Sequence, residues 1–248
     1  LLLSSHITLQ TIHHSAAAVK YFFLSALQHH RTLHNASSYG KNGRIRAQHT
    51  ASNNAKRIDT PMDTMNSAIY IELPQLGEYA ASAAKLLSPE SEGSGRTEAR
   101  RLQKCCRELR RSHAEIARRY GTVTSPPAAC EWLLDNWYMI EREYRGVLPQ
   151  IEGARRLRLC PDRVLAAALC RNMLMSGRGE VTEERFRAYM EGFQSVTVLR
   201  RGELCLIPAL LGAAVIECAA AVCREMRYAA DTDAYAKQLE ALFTTLRL

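Results

Sequence analysis

Beyond residue 73, apolar side chains return in steps of three and four along most of the chain, the spacing of one face of an α-helix. Residues 74–87 place Leu76, Ala80, Ala83, Ala84 and Leu87 on one side and predict a short first helix. Residues 88–95 (SPESEGSG) break the pattern and read as a linker. A long helix follows, capped by Thr97 and stopped at Gly121, with Ala99, Leu102, Cys106, Leu109, His113, Ile116 and Tyr120 on its seam. Ser125 as N-cap and Pro126 at the first helical position start the next helix, which Gly146 or Pro149 ends. Residues 148–159 then read as a loop. Pro161 and Asp162 open a helix striped by Val164, Leu165, Ala168, Leu169 and Met173 and stopped at Ser176 and Gly177. Thr182 caps another, with Val181 and Phe186 as a hydrophobic staple and Phe186, Met190 and Phe193 turned inward.

After a turn over 194–201 the pattern changes. LCLIPALLGAAVI puts thirteen uncharged residues before Glu217. A bilayer needs about twenty, so this reads as a central buried helix kinked at Pro208. The last helix starts near Thr232 and is still periodic at Leu242, Leu246 and Leu248, with no stop signal, as in a chain that continues. No stretch alternates as a strand does. The expected fold class is all-α, a multi-helix bundle or short α-solenoid.

Charge changes this picture only at one end. The formal net charge is +8, but residues 1–60 hold seven Lys/Arg and a single acid, Asp59, which leaves 26 bases against 24 acids for the rest. The body is thus nearly neutral, and its composition does not favour a nucleic-acid partner. Residues 1–61, polar, acid-poor and rich in histidine, are expected to be a disordered leader or upstream sequence, with translation beginning at Met62 or Met65. Residues 62–248 form the helical domain. All eight cysteines fall between Cys105 and Cys223 without a CxxC, and His113 is the only histidine of that region. Such spacing argues against a metal site and for small apolar thiols in a reducing compartment, hence a cytoplasmic location.

Nucleotide-binding loops and nucleophile–histidine pairs are missing from the sequence, and no cofactor is implied. Glu131 and Asp135, four apart, could form an acid/base pair, but both sit in the first turns of a helix, where its dipole accounts for them. Trp132, Trp137, Tyr138 and Tyr144 could stack on sugar rings, although aromatics at helical spacing are more often core. Glu203 opens the apolar helix as a dipole residue or a buried partner for an arginine. Around the seam of the long helix lie Arg100, Arg101, Lys104, Arg107, Arg110, Arg111, Arg118 and Arg119, the one stretch that could hold phosphates. The expectation is a solvated face with Glu98, Glu108 and Glu115 as partners. The alternative is a small basic helical nucleic-acid-binding protein using 100–119.

CEWLLDNWYMIEREYR (130–145) resembles the EWLLDN-[FWY]-x-[IV]-E-E motif in the N-terminal region of cyclic β-1,2-glucan synthases, bacterial membrane-bound glycosyltransferases that also carry a phosphorylase-like domain. DRVLAAALC (162–170) has that family's spacing, and FQSVTVLRRGELCLIPALLGAAVIE (193–217) is similar to its YQSVTPLxxGELWxLPxMLxxALIE. The likeness spans roughly 76–224. Val198 stands where the family has proline, Cys205 where it has tryptophan, and 149–161 is a shorter loop. The resemblance implies glucan synthesis from UDP-glucose by catalytic domains absent from this chain, which holds at most the helical region ahead of them. No catalytic residue carries over. The expected role is a non-catalytic scaffold or glucan-contacting module. Trp132, Asp135, Asn136, Trp137, Glu141, Gln194 and Glu203 would form its polar centre. Its partners would be the transferase and phosphorylase-like domains, with β-glucan as a further ligand. The location implied is the cytoplasm or the cytosolic face of the inner membrane, with membrane contact only through absent segments.

Overall fold

The apolar stripes become the inner faces of seven helices in the computed structural model, which describes residues 69–161, 163–227 and 232–246. The readings for 1–61, for Asp162 and for Leu248 lie outside those residues. Helix α1 (Leu73–Leu86) buries Leu76, Ala80, Ala83 and Ala84, as its periodicity predicts. Helices α2 (Arg96–Tyr120) and α3 (Ala128–Gly153) follow, then α4 (Leu165–Ser176), α5 (Glu183–Gln194), α6 (Arg201–Met226) and α7 (Asp233–Thr245). The all-α class holds, in its bundle form.

Helix α6 is the axis. Nearly every residue from Glu203 to Cys223 is buried, and α2, α3, α4 and α7 pack directly around it. It is the one described helix long and apolar enough to cross a membrane, and 83% of its apolar window is covered by protein. Small side chains let the neighbours come close: a Cβ added at Gly212 would lie 2.1 Å from Glu143 Oε1 on α3. The helix runs through Pro208, which is exposed, so the lost backbone donor falls on the wet side. Helices α1 and α5 form a pair beside α4. Their contact is close enough that a Cβ at Gly192 would lie 2.2 Å from the Gly77 carbonyl oxygen.

Several boundaries differ from expectation, each for a local reason. Helix α2 begins at Arg96 with Gly95 as N-cap, so Thr97 is inside it; Gly95 abuts the Ile151 carbonyl too closely for any side chain. Helix α3 begins at Ala128, and Ser125 and Pro126 precede it. It passes Gly146 and Pro149 because buried Val147 and Ile151 keep that last stretch docked. Helix α4 starts at Leu165, later than Pro161. Thr182 does cap α5, its Oγ1 accepting the Arg185 N–H at 3.3 Å.

Two strands appear where a linker and a loop were expected. Strand β1 (Ser91–Ser94) pairs antiparallel with β2 (Arg155–Leu159), register Ser91 to Leu159 and Gly93 to Leu157. A bulge between Gly93 and Ser94 leaves Arg156 unpaired at φ 54°, and Leu157 turns into the core.

Candidate functional site

The residues expected to form one polar centre are distributed over several interfaces. On α3, Trp132 packs on Phe243 of α7 with centroids 5.2 Å apart. Trp137 instead faces α2, stacked on the His113 ring at 4.4 Å. That burial pushes the His113 imidazole down, with Glu141 acting weakly the other way. Glu141 also faces α2, accepting from Arg110 Nε at 2.7 Å and Nη2 at 3.1 Å. This bond holds the Glu141 carboxyl below its ordinary value. Asn136 donates to the Trp132 carbonyl at 2.9 Å, a bond within its own helix. Gln194 is half-buried at the end of α5, and Glu203 lies at the start of α6.

Asp135 is exposed, as is Glu131, so neither ties helices together and no carboxylate dyad stands in a cleft. Asp135→Ala is therefore expected to change the unfolding free energy by less than about 0.5 kcal/mol in urea titration. Glu143, half-buried beside Gly212, has its carboxyl pushed up by burial. It lies about 200° around α3 from Glu141, so the two cannot act on one substrate.

The buried carboxylates Glu203, Glu98 and Glu217 form two clusters with arginines, while the buried Arg185 stands apart and donates to the Ser176 carbonyl at 2.7 Å. Glu203 is buried and accepts from Arg158 Nε at 2.9 Å, the Arg158 N–H at 3.1 Å and the Arg200 N–H at 2.9 Å. It thus caps α6 and ties strand β2 to it. Burial pushes the Glu203 carboxyl up, but the Arg158 guanidinium and these N–H groups outweigh burial and hold it down. Both expected roles are realised: Glu203 is the acid at the start of α6 and the buried partner of an arginine.

In the second cluster Arg163 Nη2 donates to Glu98 Oε2 at 2.8 Å and to Glu217 Oε1 at 2.9 Å. Glu98 Oε1 also accepts the Val164 N–H at 2.9 Å, capping α4 from α2. Arg171 approaches Glu217 at 3.6 Å. A lone acid at the end of thirteen uncharged residues was the available signal for Glu217. Arg163 had none, because its partners are 65 and 54 positions away.

On the outside, α2 departs from expectation too. Its three acids find partners beyond the helix: Glu98 with Arg163, Glu108 with Arg224 at 2.7 Å, and Glu115 near Arg227 at 3.9 Å. Arg101 stands 3.9 Å from Glu98, and Arg110 is held by Glu141. Arg100, Lys104, Arg107, Arg111 and Arg118 are exposed and make no ion pair among the described residues.

No His/Cys/Asp/Glu group that could hold a metal occurs among the described residues. All eight thiols are unbridged; burial pushes Cys105 and Cys106 up to about 11, so the vicinal pair stays protonated. No protein-family model matches the chain, and no curated protein matches it significantly.

Proposed function

We propose that this chain is a non-catalytic helical scaffold from a cyclic β-1,2-glucan synthase-like glycosyltransferase, holding transferase and phosphorylase-like domains at the cytosolic face of the membrane. One observation carries this reading. The segments that resemble the family, 130–145, 162–170 and 193–217, supply the internal clamps of the bundle. Arg163, Glu203 and Glu217 lie in them, and all three are engaged with protein partners. Trp132 and Trp137 likewise meet Phe243 and His113. Glu131, Asp135 and Tyr138 of the first segment are exposed, but both tryptophans and the clamp charges are used inside the fold, which favours scaffolding over glucan contact.

The test has two arms. The purified chain is expected to release no UDP from UDP-glucose, and its tryptophan fluorescence is expected to be unchanged by cyclic β-1,2-glucan. Mass spectrometry of the native gene product is expected to find peptides of a transferase in the same polypeptide. Turnover by the isolated chain, or saturable glucan quenching, would refute the scaffold reading. A native product without transferase sequence would refute the family assignment.

A further inference from the structure

Among the described residues Arg100, Lys104, Arg107, Arg111 and Arg118 of α2 make no ion pair, and these five form a geometric unit. Positions 100, 104, 107, 111 and 118 follow one another by four, three, four and seven residues. At 100° per residue they fall within about 60° of arc. That arc is opposite the buried Leu102, Leu109 and Ile116. At 1.5 Å per residue the row is about 27 Å long.

The row points out from the bundle, and none of α2's own acids lies within its arc. Glu115 and Glu108 flank it on the side that pairs with Arg227 and Arg224, and Glu152 of α3 lines the same surface pocket as Arg100 at one end. On the neighbouring helix α3, Tyr138, Arg142 and Arg145 share one outward face at i, i+4 and i+7, and Tyr138 is 64% exposed. Helices α2 and α3 run antiparallel, since Arg110 meets Glu141 and His113 meets Trp137. This brings Arg107 of α2 to about the level of Tyr144 and Arg145 of α3.

From these faces we propose a binding surface for a single nucleic-acid strand, held by its phosphates and not read by base sequence. Five arginines and lysines in a straight, solvated row can each meet a phosphate oxygen and release condensed counterions. Arginine is well suited to this, with a fork of donors matched to phosphate. The exposed Tyr138 ring beside Arg142 offers a stacking platform for a base. An anionic bilayer is the weaker fit. The α2 row has only Ala114 among its apolar side chains, so nothing on it would enter the acyl boundary. The inference is independent of the glucan reading, and its site shares no residue with the clamps around Arg163 and Glu203.

The experiment measures fluorescence anisotropy of a labelled 20-nucleotide poly-U RNA with the full chain, over a salt series. Binding is expected with a log–log salt slope of about −3 to −4, as for four to six neutralised phosphates on a single strand. The variant R100Q/K104Q/R107Q/R111Q is expected to lose tenfold or more in affinity at low salt and to flatten the slope. Arg107→Gln alone should flatten it by about 0.7. Helical circular dichroism should stay unchanged, because all four residues are exposed. The control K85Q/R201Q, with charges removed elsewhere on the surface, is expected to bind as the parent does.

Equal binding by the quadruple variant would place the affinity elsewhere, the basic residues 1–60 included, and overturn the proposal. So would a control that weakens binding as much as the quadruple variant. No binding to poly-U, or binding only to phosphatidylserine vesicles with the same α2 dependence, would overturn it as well.

Discussion

Replacing Arg163 by methionine is expected to destabilise the fold by about 3–5 kcal/mol, the cost of leaving buried carboxylates without their cation. Glu98 and Glu217 have side chains only 4% and 7% exposed, and Arg163 bridges them from the loop ahead of α4. Glu217 keeps Arg171 at 3.6 Å, so most of the loss falls at Glu98, whose remaining cation is Arg101 at 3.9 Å. The Val164 N–H would stay bound to a carboxylate now short of countercharge, which weakens the start of α4. For a domain of this size the loss corresponds to a fall in melting temperature of roughly 10 °C. Adding Glu98→Gln to Arg163→Met should recover part of it by removing the stranded charge. A melting temperature unmoved by Arg163→Met would show that the network adds nothing to stability.

Glu203→Gln is expected to cost about 2–3 kcal/mol, the range for hydrogen bonds to charged groups. The carboxylate serves four donors at once, Nε and Nη2 of Arg158 and the N–H groups of Arg158 and Arg200, and the amide cannot match its charge to Arg158. The pH dependence follows from the same contacts. The folded Glu203 carboxyl titrates below its ordinary value near 4.5. Its contribution is therefore complete above that value and is lost as pH falls through the depressed one. Glu141, held down by Arg110, adds a loss in the same window. Urea midpoints at pH 7 and pH 3.5 are expected to differ less in Glu203→Gln than in the parent. An equal acid loss in both would assign it to other carboxylates.

How much of this was legible in the sequence depends on which interaction decides each feature. The helices were, because periodic burial both forms them and marks them: the α2 seam and the α1 stripe are cases. The Thr182 cap was also readable, since a threonine ahead of two glutamates acts locally. Strand β1 was not. SEGS has no apolar alternation, and its pairing with β2 rests on backbone hydrogen bonds to a segment some sixty residues away. The passage of α3 through Pro149 was missed because packing at Val147 and Ile151 outweighs one lost hydrogen bond. The candidate centre was misplaced for a related reason. A helical motif names residues on all sides of its helix, and only the partners decide where each points. Trp132 and Trp137, five apart, therefore serve α7 and α2 respectively.

The ribbon of β1 and β2 has a topological consequence. Ser94 is paired with Arg155, and the Gly95 N–H donates to the Ala154 carbonyl at 3.2 Å, so the chain leaves and returns at one point. Everything between, α2 and α3 with their turn at 121–127, is an arm whose two ends are clasped at its root. Such an arm is held as a unit: its length rests on α6 and its root on a main-chain clasp in which Gly95 leaves no room for a side chain. The cationic row therefore rides on a member whose position is set independently of the residues that decorate it. Its charge can be rewritten, through evolution or by design, without disturbing the bundle beneath.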